Sequence, residues 1–177
     1  MNDSRLLISS VARHDPSHLR DLTGRVVSAG CGVEESHVAV MGEEIIVMML
    51  VNGNWNAIAK LESTLQKLGE KDGVSLEVRR TGPKAQEGDR LPYIVEVVSA
   101  DSPGIVHHLA GFFSSRNIAI DGLVSTCYQA TQTGTAMFSA HISISIPAAT
   151  QISALREEFM EFCDRMNLDA ILEPVKA

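Results

Sequence analysis

Residues 93–122 read YIVEVVSADSPGIVHHLAGFFSSRNIAIDG. The run from Tyr93 to Ser99 is rich in β-branched residues and has the composition of a strand. Asp101-Ser102-Pro103-Gly104 is a tight turn, after which Ile105, Leu109, Phe112 and Phe113 fall on one face of a helix. Past Asn117 a second strand starts at Ile118, which makes the stretch a βαβ passage. A proline ring presets φ and lacks the N–H that would go unpaired in a first helical turn, so Pro103 is expected at the first helical position with Ser102 as N-cap. Gly104 has no side chain to cover that helix start. The N–H groups of Gly104 and Ile105 are therefore open to a small anion such as an amino acid's carboxylate.

The same order of elements is legible on both sides of this stretch. Upstream, strands are expected over residues 5–12, 33–40, 44–51 and 75–80. One helix over 18–29 carries Leu19, Leu22 and Val26, and another carries Ile58, Leu61, Leu65 and Leu68. Downstream of Cys127 a hairpin rich in Gln, Thr and Gly leads to a strand in which Phe138, Ala140, Ile142, Ile144 and Ile146 alternate with Ser139, His141, Ser143 and Ser145. A helix over 151–166 and a strand over 170–175 complete the chain. One interval separates both Pro16 from Pro103 and Val33 from Ile120, so the chain is an internal repeat of βαββαβ. Fold class is expected to be α+β, with two tandem ferredoxin-like domains over 1–81 and 92–177 joined by a polar linker over 82–91. Each should be a four-stranded antiparallel sheet with two helices on one face. The two sheets are expected to pair edge to edge as an internal pseudo-dimer, with the edges that meet left open by the sequence.

The segment DSPGIVHHLAGFFSSRNIAIDG resembles the first half of an ACT domain, a small regulatory module that often binds amino acids. Because two copies make up almost the whole chain, it is most similar to the glycine cleavage system transcriptional repressor family. That resemblance implies a non-enzymatic regulator that represses glycine cleavage genes by contacting a transcriptional activator protein, and that binds a small amino acid, possibly glycine. It further implies ligand contacts at Asp101, Ser102, Pro103, Gly104 and Ile105, and at Asn117. From the residues alone, the turn serves equally as a helix cap, and Asn117 serves equally as a ligand contact or a helix end. The first repeat has His14, Ser17 and Gly30 where the second has Asp101, Gly104 and Asn117, so the second is expected to be the binder.

Composition narrows the alternatives. A net charge of −7 with scattered Lys and Arg argues against direct nucleic-acid binding. An RNA-recognition module shares the βαββαβ order, but needs strand aromatics and a basic surface, and only Tyr93 and Phe138 are available. A ferredoxin-like hydrolase of the acylphosphatase type would need an arginine in its anion loop, and the turn at 101–104 has none. No apolar run reaches the ~20 residues of a membrane span, and the start MNDSRLLISS lacks the pattern of a signal peptide, so a cytoplasmic location without membrane contact is expected. Three cysteines without CxxC spacing read as reduced packing residues. His14 and His18 are split by Pro16, and none of the histidines has an evident orienting carboxylate, so neither a metal nor any other cofactor is expected. Trp55 and the methionines read as core or interface fillers, and the sequence leaves a homodimer open.

Overall fold

The computed structural model describes residues 4–69, 73–83 and 89–175. The chain divides into two compact units, Met1–Ala85 and Gln86–Ala177. Of the expected linker 82–91, residues 84–88 lie outside the described residues, and Arg90 already belongs to a strand.

In the first unit the order is β1 (Ser4–Arg13), α1 (Pro16–Ala29), β2 (Gly32–Met41), β3 (Glu44–Gly53), α2 (Trp55–Gly69) and β4 (Val74–Thr81). The second unit repeats it with β5 (Arg90–Ala100), α3 (Ile105–Ser114), β6 (Ala119–Gln129), β7 (Ala136–Pro147), α4 (Ile152–Met166) and β8 (Asp169–Pro174). The sheets run β2-β3-β1-β4 and β6-β7-β5-β8 with every pairing antiparallel. This is the ferredoxin-like plan in duplicate.

Strand alternation decides which face is buried. On β1 and β3, Leu6, Ile8, Val47, Met49 and Val51 turn toward Leu22, Val26, Ile58, Leu61 and Leu65 of the helices. On β5 and β7, Val95, Val97, Phe138, Ile142, Ile144 and Ile146 do the same toward Leu109, Phe113 and Phe159. Full burial of each such large side chain contributes about 1.5–3 kcal/mol. Between α3 and α4, Phe112, Phe113, Phe159 and Phe162 form a ring cluster, with centroids of neighbouring rings as close as 4.9 Å. Arg116 closes it from outside, its guanidinium 3.8 Å from the Phe112 centroid and 2.8 Å from Glu158.

The duplication extends to irregularities. The β2–β3 register shifts between Val33 and Glu35, and the β6–β7 register between Ile120 and Gly122. Glu34 and Asp121 are the extra residues, at corresponding places in the repeats, and each carboxylate is held: Glu34 by Arg5 at 2.7 Å, Asp121 by the Ser145 hydroxyl. A bulge aims its residue out of the ladder, which lets a carboxylate sit there without meeting the core.

Several residues fall elsewhere than their sequence context suggests. Trp55 lies outside the core, 63% exposed, with the Arg80 guanidinium 5.9 Å from its ring centroid and Arg80 itself paired to Glu62. Met41 and Met48 are exposed, whereas Met49 is core. Cys31 and Cys163 are buried as packing residues and Cys127 is exposed. His141 does have a carboxylate neighbour, since the β5–β7 register sets it opposite Glu96, with Nδ1 3.5 Å from Oε1.

Candidate functional site

The turn between β5 and α3 is anchored at its start, where the Asp101 N–H donates to the Ala136 carbonyl at 2.9 Å. The helix then begins at Ile105 rather than at Pro103. Ser102 is not its N-cap: that position belongs to Gly104, which has φ +91° and supplies no side-chain bond, while the N–H of His108 closes the first turn onto the Gly104 carbonyl at 2.9 Å. The arrangement expected at Ser102-Pro103 occurs in the first repeat instead. There Asp15 caps α1 by accepting from the Ser17 N–H at 2.6 Å, and Pro16 is the first helical residue. The difference lies in the residue after the proline. Gly104 tolerates a left-handed backbone that delays the helix, whereas Ser17 continues it.

This delay leaves the start of α3 bare. No side chain caps the helix start, and Asp101, Ser102, Pro103 and Gly104 are all exposed, whereas the Ile105 side chain is buried in the core. A Cβ built on Gly104 would touch only the His108 ring at 3.5 Å, so the glycine is required more by its φ than by crowding. Beside the turn, the Cys127 thiol lies 3.5 Å from Asp101 Oδ1 as donor. Partial desolvation and the Asp101 carboxylate together push the Cys127 thiol above its ordinary pKa. The site thus offers an uncapped set of backbone donors with the partial positive charge of a helix start, next to an exposed carboxylate. That pair of features suits a zwitterion's two charges.

Asn117 belongs to a different place. It has φ +56° and ends α3, its N–H donating to the Ser114 carbonyl and the Ile118 N–H to the Phe113 carbonyl, both at 3.1 Å. Gly30 and Asn167 end α1 and α4 with the same pair of bonds in the left-handed conformation, a Schellman-type stop. The ten residues of α3 put roughly 15 Å between its two ends. Arg90, which donates to the Asn117 carbonyl at 3.4 Å, stands at the start of β5 while Asp101 follows its end. One small amino acid held at Gly104 therefore cannot meet Asn117 of the same unit.

Other chemical candidates resolve simply. His18 is buried with Nε2 2.9 Å from Ser10 Oγ, and no group of three metal-donor side chains occurs among the described residues. Tyr93 and Phe138 both pack on the helix side of their sheet, which removes them from the open face an RNA-recognition surface would use. That face carries instead Val98, Val124, Tyr128 and Ile171 around the Glu96–His141 pair. No helix among the described residues is long and apolar enough to cross a membrane.

The sequence model of the ACT domain family matches residues 4–79, the first repeat. Over 170 residues, covering 96% of this chain and 90% of the relative, the chain is 28% identical to the glycine cleavage system transcriptional repressor of Escherichia coli (strain K12). A crystal structure described as a candidate glycine cleavage system transcriptional repressor superimposes with a TM-score of 0.71 at 25% identity, covering 100% of both chains. A protein of unknown role from Galdieria sulphuraria superimposes at a TM-score of 0.80 and 20% identity, over 99% of this chain and 100% of that one, which is agreement in fold. With βαββαβ present twice, the first copy matched by the ACT-domain model and the similarity to the repressors spanning both copies, the chain resembles the glycine cleavage system transcriptional repressors over nearly its whole length.

Proposed function

We propose that this chain is a regulatory protein without catalytic activity that binds a small amino acid at the turn formed by Asp101, Ser102, Pro103, Gly104 and Ile105. It lowers expression of glycine cleavage genes by contacting their transcriptional activator protein. The observation that carries the ligand reading is the uncapped start of α3, where Gly104 holds a left-handed backbone and leaves the helix donors bare beside Asp101. The ligand's carboxylate takes the N–H groups of Gly104 and Ile105, and its ammonium takes Asp101. The first repeat is not the binder, because the corresponding donors of α1 are already taken, the Ser17 N–H by the Asp15 carboxylate and the His18 N–H by the Asp15 carbonyl. Repression rests on the similarity to the Escherichia coli repressor, and the route through a protein contact on the net charge of −7, which disfavours gripping DNA.

A purified transcription reaction at a glycine cleavage promoter, driven by its activator, tests this. Adding the chain should lower transcript, and added glycine should change the degree of repression. Transcript unaffected by the chain would contradict the reading.

A further inference from the structure

The seam between the two helices is filled differently in the two repeats. In the second, Phe112 of α3 lies in it against Phe159 and Phe162 of α4, and Arg116 over the Phe112 ring is neutralised by Glu158 at 2.8 Å. In the first, the interval that separates Pro16 from Pro103 puts Arg25 of α1 in the place of Phe112. His18, Leu22 and Val26 match Ile105, Leu109 and Phe113 at that same interval, and each of these side chains is buried, so the correspondence holds in three dimensions. A guanidinium therefore stands where the other repeat packs a ring.

Arg25 lines an open groove of about 560 Å³ between α1 and α2, together with Arg20, Asp21, Gly24, Lys60 and Thr64. Among the described residues its guanidinium has no hydrogen bond or ion pair; Nε is buried, so the terminal amino groups are what the groove can reach. Lys60 gives one N–H to the Ser28 carbonyl at 2.9 Å, and an ammonium has two more to offer. Arg20 is paired with Asp21 at 3.0 Å on the surface, a contact weak enough to yield to a better acceptor. Gly24 lies one turn from Arg20 on the same helix face, and a Cβ there would meet nothing within 4 Å, which leaves open space beside the cations. Three cations against one carboxylate leave two positive charges on the groove, in a chain whose net charge is −7.

We propose that the groove between α1 and α2 binds the phosphoryl group of a small phosphorylated molecule. A phosphate monoester carries about −1.5 to −2 charge near neutral pH, which matches the uncompensated positive charge, whereas a lone carboxylate brings only half of it. The planar fork of Arg25 suits two phosphate oxygens at once, and Lys60 adds a point charge from the facing helix. The space beside Gly24 takes the phosphoryl group. The rest of the groove, whose size falls within the roughly 300–1,000 Å³ of ordinary ligand sites, takes the organic part. A nucleic acid is disfavoured, because an extended polyanion would also have to lie along the acidic remainder of the chain. The site lies wholly within the first repeat and does not depend on amino-acid binding at Gly104.

Amide chemical shifts of the full-length protein, followed as glycerol phosphate is added against sodium chloride of equal ionic strength, are the test. Saturable shifts in the millimolar range or tighter should appear for residues 20–28 of α1 and 60–64 of α2, and sodium acetate should bind far more weakly. Arg25→Gln and Lys60→Gln should each weaken binding by roughly tenfold or more. Two further variants are chosen to fold: Gly24→Asp places a carboxylate in open space, and Arg25→Phe copies the second repeat. Both should keep the dispersed spectrum of the wild type and lose binding, while Gly104→Trp should retain it. No saturable shift with glycerol phosphate, shifts that sodium chloride reproduces, or acetate binding as tightly as the ester would overturn the proposal. Affinity unchanged in folded Arg25→Phe and Gly24→Asp, or lost in folded Gly104→Trp, would overturn it equally.

Discussion

Ser10 Oγ and His18 Nε2 lie 2.9 Å apart inside the first repeat and occupy the places that Val97 and Ile105 hold in the core of the second. One repeat fills this position beneath the first helical turn with a polar pair and the other with hydrocarbon. A buried polar pair is stable only while both members are present. Ser10→Ala should therefore cost about 1–3 kcal/mol in urea unfolding, because it strands the imidazole nitrogen. The double change Ser10→Val with His18→Ile copies the second repeat and should restore wild-type stability or exceed it. A double variant as unstable as Ser10→Ala would show that the two sites are not equivalent.

Gly104 and Gly111, at the start and near the end of α3, should respond oppositely to alanine. At φ +91° an L residue is strained, so Gly104→Ala should destabilise by roughly 1–2 kcal/mol. Gly111 is helical, and a Cβ there meets nothing within 4 Å, so Gly111→Ala should stabilise by about 0.5–1 kcal/mol. Thermal melts of the two variants, measured side by side, decide this.

Most of the fold was legible because periodicity records burial. The alternation of Phe138 to Ile146 and the helical spacing of Ile58, Leu61, Leu65 and Leu68 match the residues that are buried. The start of α3 was not legible in the same way. Pro103 and Pro16 look alike in sequence, and only the competition between a left-handed glycine and a continuing serine separates a helix that begins at the proline from one that begins two residues later. Asn117 was ambiguous because the residue types that take a left-handed helix end also make good ligand contacts. Its backbone bonds assign it to the helix end. The pairs Ser10–His18, Glu96–His141 and Cys127–Asp101 depend on strand register and chain reversal, which local patterns do not carry.

Acid should remove a specific part of the first repeat's stability. Hydrogen bonds from the Ser17 side chain and N–H hold the Asp15 carboxyl below its ordinary value of 3.8. A carboxyl with a depressed folded-state pKa stabilises the fold above its unfolded pKa, and that stabilisation is lost as pH falls through the lower folded value. Asp15→Ala should therefore melt below the wild type at neutral pH, and the gap should close under acid conditions below 3.8. A gap that persists unchanged at low pH would contradict the capping role.

Thiol chemistry reports on the ligand turn. Cys31 and Cys163 are buried, and burial pushes the Cys163 thiol up to about 11, so Cys127 should be the thiol that reacts with a disulfide reagent at mildly alkaline pH. Asp101 raises the Cys127 pKa, so Asp101→Asn should increase the thiolate fraction and speed the reaction. An amino acid whose ammonium engages Asp101 should likewise change the wild-type rate, and a rate indifferent to both would separate Cys127 from the site.

The most direct measurement is a calorimetric titration of glycine, serine and other amino acids into wild type, Gly104→Trp and Asn117→Gly, with a melt of each recorded to confirm folding. Binding at the bare start of α3 predicts saturable heat for the wild type, its loss in folded Gly104→Trp, and its retention in Asn117→Gly. No heat from any amino acid, or equal affinity in Gly104→Trp, would contradict it.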